Sequence, residues 1–277
     1  MTIREALQLG ASALAGVPDP QLDAEWLLGG ALGMKRLELL LNAAQALTAE
    51  QEKRYKTLLA QRAARKPLQY ILGSQSFYGL ELRVDEAVLI PRQETETLCE
   101  RALAAMEALR APAVADICTG SGAIAIALKV NRPDARVWAT DASPEALRLA
   151  RENAEQNGAE ITFLEGDLLA PLTGLTFDCI VSNPPYIPSG ALNGLQPEVR
   201  YEPRMALDGG ADGLTFYRRL AQDAPACLNR GGSILAELGD GQAEAAAELF
   251  AAAGHFEDVH IHPDLYGRAR VLEARRN

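Results

Sequence analysis

Apolar residues recur at helical spacing near the start of the chain: Leu22, Trp26 and Leu27, then Leu37, Leu40 and Leu41. A period near 3.6 predicts amphipathic helices. Thr48-Ala49-Glu50-Gln51 has the form of a capping box, in which a Thr hydroxyl and a Gln side chain satisfy each other's backbone N–H groups. A long helix is expected to open there and run through Ala64. Pro67 ends it, because the residue before a proline is pushed out of the helical region. No alternating pattern interrupts residues 1–73, which predicts a small helical bundle.

Between Phe77 and Ile90 the period changes to two. Leu80, Leu82 and Val84 alternate with polar positions, and Val88-Leu89-Ile90 follows Asp85-Glu86. Residues 74–93 are therefore expected to form a hairpin linking two domains. A helix rich in Glu, Ala and Leu follows from Glu94 to Leu109. Beyond Ala111 the order is strand, turn, helix, repeated. Strands are expected at Ala113 to Ile117, Arg136 to Thr140, Ile161 to Leu164, Phe177 to Ser182 and Gly232 to Leu238. Helices fall at Ile124 to Val130, after the cap Ser143-Pro144, and in the alanine-rich stretch 243–253. Such alternation predicts an α/β domain over 94–277, a mostly parallel sheet with helices on both faces.

Composition narrows this picture. At 277 residues the chain has room for one large domain and one small one. Its longest apolar runs, Leu37 to Leu41 and Ala245 to Gly254, fall well short of a membrane span, and no basic segment precedes an apolar core near Met1. No membrane association and a cytoplasmic location are expected. Cys99, Cys118, Cys179 and Cys227 are too widely spaced for a zinc or disulfide framework. His260 and His262 share a strand face, but no carboxylate-rich loop completes a metal site, so an edge strand without metal is expected. The net charge of −10 (27 Lys+Arg minus 37 Asp+Glu) argues against direct binding of a nucleic-acid backbone. Lys53, Arg54, Lys56, Arg62, Arg65 and Lys66 nevertheless cluster on what reads as one helix. A solvated face is expected there, with a docking surface for an acidic macromolecule as the alternative.

Asp116-Ile117-Cys118-Thr119-Gly120-Ser121-Gly122 lies between a strand and a helix, where glycines let the backbone turn sharply and let a ligand approach. Asp141 closes the next strand, nineteen residues after Gly122, and can accept hydrogen bonds from both ribose hydroxyls of an adenosine cofactor. Asp167, in Glu165-Gly166-Asp167-Leu168, ends a third strand and can help place the adenine. Taken alone, the loop also fits the dinucleotide fingerprint through Gly120, Gly122 and Ala125, or a plain glycine turn.

Asn183-Pro184-Pro185-Tyr186 follows the strand Phe177 to Ser182 directly, at the carboxyl end where open α/β sheets bind ligands. Two prolines stiffen the loop and remove two backbone donors, leaving carbonyls as acceptors. The Asn183 side-chain oxygen and the Pro184 carbonyl can accept both hydrogens of one –NH₂ group, and Tyr186 offers a flat face to a planar group. Amide and aniline-like nitrogens are poor nucleophiles because their lone pairs are delocalised. Two fixed acceptors favour the pyramidal form and stabilise the positive charge that develops when a methyl group arrives from a sulfonium donor.

At these residues the chain resembles the release-factor glutamine methyltransferases (the PrmC/HemK family). The resemblance runs through Pro67 to Gly73, Leu89-Ile90-Pro91-Arg92-Gln93-Glu94-Thr95-Glu96, the glycine loop, Asn183 to Tyr186 and Glu202 to Leu207. It continues through Gly213-Leu214, Glu237-Leu238-Gly239 with Gln242, and Gly267 to Leu272. It implies a Rossmann-like class I methyltransferase sheet, with the helical N-terminal domain binding the protein substrate. The implied reaction moves a methyl group from S-adenosyl-L-methionine to the glutamine of the Gly-Gly-Gln loop of class I peptide chain release factors. It further implies that Asn183 and the Pro184 carbonyl hold the glutamine amide, with Pro185 and Tyr186 completing the catalytic loop. Cys118, Thr119, Gly120, Ser121, Gly122, Asp141, Asp167, Leu168 and Asn183 are the cofactor residues by the same reading, bordered by Arg92 and Thr95. Three positions depart from the family pattern. Cys118 replaces the loop's first glycine, so an ordinary φ is expected there. Gln93 replaces a proline, and Leu168 a residue that is often aromatic. The rival readings are an amino-methyltransferase acting on an exocyclic base nitrogen, which would need the base flipped out, a non-enzymatic binding module, and a nicotinamide oxidoreductase.

Overall fold

The computed structural model describes residues 1–277, which divide into two units: Met1–Gly73 with Gln196–Tyr201, and Ser74–Leu195 with Glu202–Asn277. The first unit holds five helices, α1 (Ile3–Ala13), α2 (Pro20–Leu32), α3 (Arg36–Leu41), α4 (Ala49–Ala63) and α5 (Leu68–Leu72). Thr2 and Thr48 open α1 and α4 with capping boxes closed by Glu5 and Gln51. Ile3, Leu14, Leu27, Leu28, Leu39 and Leu59 pack around Tyr55, whose hydroxyl donates to the Ala24 carbonyl at 3.3 Å. The apolar recurrence marks the helices but not their inner faces. Leu22, Trp26, Leu37, Leu40 and Leu41 are exposed, and on α3 only Leu39 is buried.

The basic cluster also divides. Lys53, Arg54 and Lys56 face solvent. Arg62 instead is 5% exposed, with Nε on Asp23 at 2.6 Å and Nη1 on Glu198 at 2.9 Å. Arg65, beyond the end of α4, grips Glu198 from its other side at 2.6 and 2.8 Å. A solvated face is therefore wrong for Arg62: the charge was legible, but not the two carboxylates distant in sequence that draw it inside. These bonds fasten the segment Gln196–Tyr201 to the helices, helped by the Tyr201 hydroxyl donating to the Ala64 carbonyl at 3.0 Å.

The second unit opens with a hairpin, β1 (Ser74–Phe77) and β2 (Leu80–Arg83). Its two-residue turn, Tyr78-Gly79, has positive φ at both positions, as a twisted hairpin requires. The hairpin is shorter than expected, and Val88-Leu89-Ile90 adds no strand to it. A 3₁₀ turn over Gln93–Thr95 leads into α6 (Glu96–Ala105), which ends before the expected Leu109. Then come β3 (Ala113–Ile117), α7 (Ala123–Asn131), β4 (Arg136–Asp141), α8 (Pro144–Gln156), β5 (Ile161–Glu165) and β6 (Phe177–Ser182). The chain closes with α9 (Thr215–Cys227), β7 (Leu228–Glu237), α10 (Ala243–Ala252), β8 (Phe256–Pro263) and β9 (Ala269–Arg276).

The main sheet has the order β5-β4-β3-β6-β7-β9-β8. Its first five strands are parallel, and β9 and β8 add on antiparallel. The chain moves outward from β3 to β5, then returns to place β6 on the other flank of β3. Between β3 and β6 lies the switch point where such sheets bind ligands. One face packs on α6 and α7 through Leu98, Ile126 and Leu128, the other on α9 and α10 through Tyr217, Leu220 and Phe250. No helix is long and apolar enough to cross a membrane.

Arg62→Ala should destabilise the protein by ~3–5 kcal/mol, because it strands Asp23 without its buried partner. A urea-midpoint change equivalent to under ~1 kcal/mol would show the site to be wet. Glu198 is held at about 2, against an ordinary 4.5, chiefly by the hydrogen bond from Arg65. Its contribution is therefore complete above about 4.5 and is lost as pH falls toward 2. Glu198→Gln should remove that part of the acid-unfolding slope.

Candidate active site

β3 ends in a carboxylate turned inward. Asp116 Oδ2 accepts the Thr119 hydroxyl at 2.6 Å and the Ala125 N–H at 3.1 Å, tying both ends of the glycine loop to one buried atom. Burial pushes this carboxyl up to about 7 against those two donors. Thr119 N–H donates across to the Thr140 carbonyl on β4 at 2.9 Å. With both sides pinned, the backbone crosses at left-handed conformations: φ is 62° at Cys118, 55° at Gly120 and 82° at Gly122. An ordinary φ at Cys118 is thus incorrect. The surrounding hydrogen bonds set the conformation, and a residue with a Cβ tolerates it at a cost of ~1–2 kcal/mol. Burial and the nearby Asp141 charge raise the Cys118 thiol far above its usual range, so it is not a reactive thiolate. A Cβ on Gly120 would meet nothing, whereas one on Gly122 would come within 3.0 Å of Ile126 Cδ1 and 3.2 Å of Ala150 Cβ.

Asp141 closes β4. Its Oδ2 accepts Gly120 N–H and its Oδ1 accepts Ser143 N–H, each at 2.9 Å, so the carboxylate is fixed by backbone on two sides. Burial raises its pKa and these N–H groups oppose the rise. Ser143 caps α8 through the Ala146 N–H at 3.1 Å. Asp167 is more exposed and is held bidentately by Arg219 at 3.0 and 2.7 Å. Leu168 is buried at φ 49°, its carbonyl accepting the Thr140 hydroxyl at 3.0 Å.

Asn183 leaves the end of β6, where Ser182 Oγ donates to the Ile117 carbonyl at 2.8 Å and joins two strand ends. Asn183 Nδ2 donates to Thr95 Oγ1 at 3.3 Å, which leaves Oδ1 as the acceptor. Tyr186 is fixed at both ends. Its hydroxyl donates to the buried Glu237 at 3.4 Å, and its carbonyl accepts Gln242 Nε2 at 2.8 Å. Gly213, at φ 78°, lies so close that a Cβ would come within 2.4 Å of that carbonyl. Ile187 N–H donates to the Leu207 carbonyl and its own carbonyl accepts Gly209 N–H, so the loop continues as a paired segment.

These elements surround a cavity of about 420 Å³, within the ~300–1,000 Å³ typical of small-molecule sites. Cys118, Thr119, Gly120, Ser121, Asp141, Asp167, Leu168, Asn183 and Pro185 line it, with Thr95. Gly122, Pro184, Tyr186 and Arg92 are not in its wall. Gly122 serves as the N-cap of α7. Arg92 pairs with the buried Glu202, whose other oxygen accepts Ile90 N–H at 3.0 Å. Further wall comes from Ala87 to Leu89, Pro203, Met205, Ala206, Phe216 and Arg219 among others. None of these carries a local signal of a site role in the sequence. Glu202 to Leu207 stood out only as part of the resemblance, and nothing local distinguishes two residues on α9.

A five-strand parallel core, a glycine loop after β3, an acid closing β4 and a prolyl loop after β6 define a class I methyltransferase domain. Solved structures share the fold. A methyltransferase from Pyrococcus furiosus is 20% identical with TM-score 0.52, covering 80% of this chain and 97% of that one. The hMettl16 catalytic domain, in complex with MAT2A 3'UTR hairpin 6, is 18% identical with TM-score 0.60, covering 79% and 81%. Residues 5–73 match the PrmC N-terminal domain and residues 96–194 the methyltransferase small domain. The release factor glutamine methyltransferase of Geobacter sulfurreducens is 49% identical across 99% of this chain and 96% of its own length. That of Moorella thermoacetica is 46% identical across 100% and 99%. The chain belongs to the release factor glutamine methyltransferase family.

Gly122→Ala should cost ~1–3 kcal/mol through strain and crowding against α8. Cys118→Gly, relieving strain of ~1–2 kcal/mol against the ~0.5–1 kcal/mol a glycine adds to unfolded-chain entropy, should leave stability equal or higher. Thermal unfolding separates the two. Comparable losses in both variants would show that φ does not govern position 118.

Proposed function

We propose that this chain transfers a methyl group from S-adenosylmethionine to the side-chain amide nitrogen of the glutamine in the Gly-Gly-Gln loop of class I peptide chain release factors. One observation carries the chemistry. Asn183 sits in the wall of the cavity with its amide nitrogen engaged by Thr95, so its oxygen is the end available to a substrate –NH₂ group. Full-length relatives named for release factor glutamine support the amide over an exocyclic base nitrogen.

The cavity suits an adenosine-bearing cofactor. Its wall is largely apolar, and the Asp141 carboxylate is fixed in it with lone pairs to spare for ribose hydroxyls. Cys118 to Ser121, Asp141, Asp167, Leu168 and Asn183 would hold it. S-adenosylmethionine, when bound, supplies a methyl group already activated on a sulfonium. The chain's task is then the nitrogen. Asn183 Oδ1 and the Pro184 carbonyl accept its two hydrogens, draw it toward the pyramidal form and stabilise its developing positive charge. Pro184 and Pro185 keep those acceptors still, and Tyr186, anchored by Glu237 and Gln242, packs beside the amide plane. The helical unit would bind the body of the release factor, for which the exposed Trp26, Leu37, Leu40 and Leu41 are suited.

Incubation with labelled S-adenosylmethionine and a release factor, followed by mass spectrometry, should place one methyl group on the Gly-Gly-Gln glutamine. Label found only in RNA or DNA would overturn the reading. Asn183→Ala should lower kcat by ~10²-fold or more while S-adenosylhomocysteine still binds; kcat within a few-fold of wild type would contradict the role. Asp141→Ala should weaken cofactor binding by ~1.5–3 kcal/mol, and calorimetry giving an unchanged Kd would remove it from the ribose site.

A further inference from the structure

Below the Asn183 loop lies a buried carboxylate that the chemistry above leaves unused. Glu237 closes β7 and is 1% exposed, and Ser182, which precedes Asn183, pairs with its neighbour Ala236. One carboxylate oxygen accepts the Tyr186 hydroxyl; the other, Oε2, is buried without a donor. Burial raises the pKa of this carboxyl, and Thr95, near enough to act on it, opposes the rise together with Arg270 and Tyr186. Thr95 is itself 4% exposed, and its oxygen accepts Asn183 Nδ2. Its hydroxyl proton therefore needs a buried acceptor, and Oε2 of Glu237 is the one in want of a proton.

We propose that Glu237 and Thr95 are positioning residues that decide which end of the Asn183 carboxamide meets the substrate nitrogen. The inference rests on the reading of Asn183 as the amide's acceptor. The two ends of a carboxamide have nearly the same shape, so packing alone does not choose between them. If flipped, Asn183 would point N–H groups at the hydrogens of the substrate amide. Glu237 already accepts from Tyr186 and has no donor on Oε2, so it accepts the hydrogen bond of the Thr95 hydroxyl there. The Thr95 oxygen is then left to accept, and it takes the Asn183 nitrogen. Oδ1 turns to the cavity as a result. Tyr186 donates to the same carboxylate, so the acceptor and the ring beside it answer to one buried anion.

Three variants test this: Thr95→Val, Thr95→Ser and Glu237→Gln. Thr95→Val keeps the volume but loses the relay, and kcat on a release factor should fall about tenfold or more, with Thr95→Ser recovering most of the loss. Thr95 also lines the cavity, so the KM for S-adenosylmethionine is read alongside, and the fall in kcat should exceed any rise in KM. Glu237→Gln can donate as well as accept, and should fall alongside Thr95→Val without adding to it in the double variant. A second readout needs no substrate. The Asn183 side-chain amide resonances, assigned by their loss in Asn183→Asp, should shift and exchange faster with water in Thr95→Val and in Glu237→Gln. Unmoved resonances in both, or a Thr95→Val enzyme with wild-type kcat, would overturn the proposal. A wild-type protein that leaves the release factor unmethylated would instead sink the functional reading, which the resonance experiment does not touch.

Discussion

The register of the parallel strands governs everything at the site. Ile117 lies opposite Thr140 on one side and Ser182 on the other, and Ser182 lies opposite Ala236, so β4, β3, β6 and β7 finish nearly level. The residues that end or follow each strand are thereby delivered to one rim: Cys118 to Gly122, Asp141, Asn183 and Glu237. A slip of one residue in any pair would turn the terminal side chain to the opposite face of the sheet. The hydrogen bond from Ser182 to the Ile117 carbonyl, and that from Thr119 to the Thr140 carbonyl, lock the alignment where it matters.

The rim is unusual in what it buries. Asp116 and Glu237 are almost fully withdrawn from water, and Glu202 nearly so. Only Glu202 has a direct ion-pair partner, Arg92. Asp116 and Asp141 are met by backbone N–H groups and a hydroxyl, and Glu237 by the Tyr186 hydroxyl with Arg270 at longer range. A direct cation would stabilise each charge more but would occupy the oxygen that a loop or ligand needs. Neutral donors leave lone pairs free, and each bond to a charged acceptor is still worth ~1.5–3 kcal/mol. The site therefore uses carboxylates as fixed points for backbone and side chains rather than as halves of salt bridges.

The parallel strands, the cap at Ser143 and the prolyl loop could be read from the sequence because each has a local cause: an apolar run, a cap, a rigid dipeptide. The strand Phe177 to Ser182 has the same bounds as β6. What escaped depends on distant partners. β9 holds too few consecutive apolar residues, among Arg270, Glu273, Arg275 and Arg276, to announce a strand, yet it is ordered by pairing with β7 and β8. Arg62 reads as one more surface cation until Asp23 and Glu198 are seen beside it. At Cys118 residue type suggested one φ and the hydrogen-bond frame imposed another. Part of the cavity wall, Pro203, Met205, Ala206, Asp208, Phe216 and Arg219, is likewise brought there only by the crossover from β6 to β7.

Preorganisation explains why so much of the fold is rigid around one short loop. An amide nitrogen gains little from a strong base, since its lone pair is tied into the carbonyl. What helps is a pair of acceptors already in place when its geometry changes, so that no reorganisation is charged to the barrier. For the role proposed for Asn183, the fold supplies that stiffness: prolines remove freedom at 184 and 185, Gln242 and Gly213 clasp the Tyr186 carbonyl, and residues 187–210 pair back on themselves. Stiffness alone leaves one choice open, the direction in which the Asn183 carboxamide faces, because its two ends are nearly isosteric. That choice has to come from hydrogen-bond polarity, and polarity has to start at a group that can only accept. In the arrangement proposed above, a buried glutamate at the end of the adjacent strand is the acceptor, and Thr95, which accepts Asn183 Nδ2, carries its polarity one residue further.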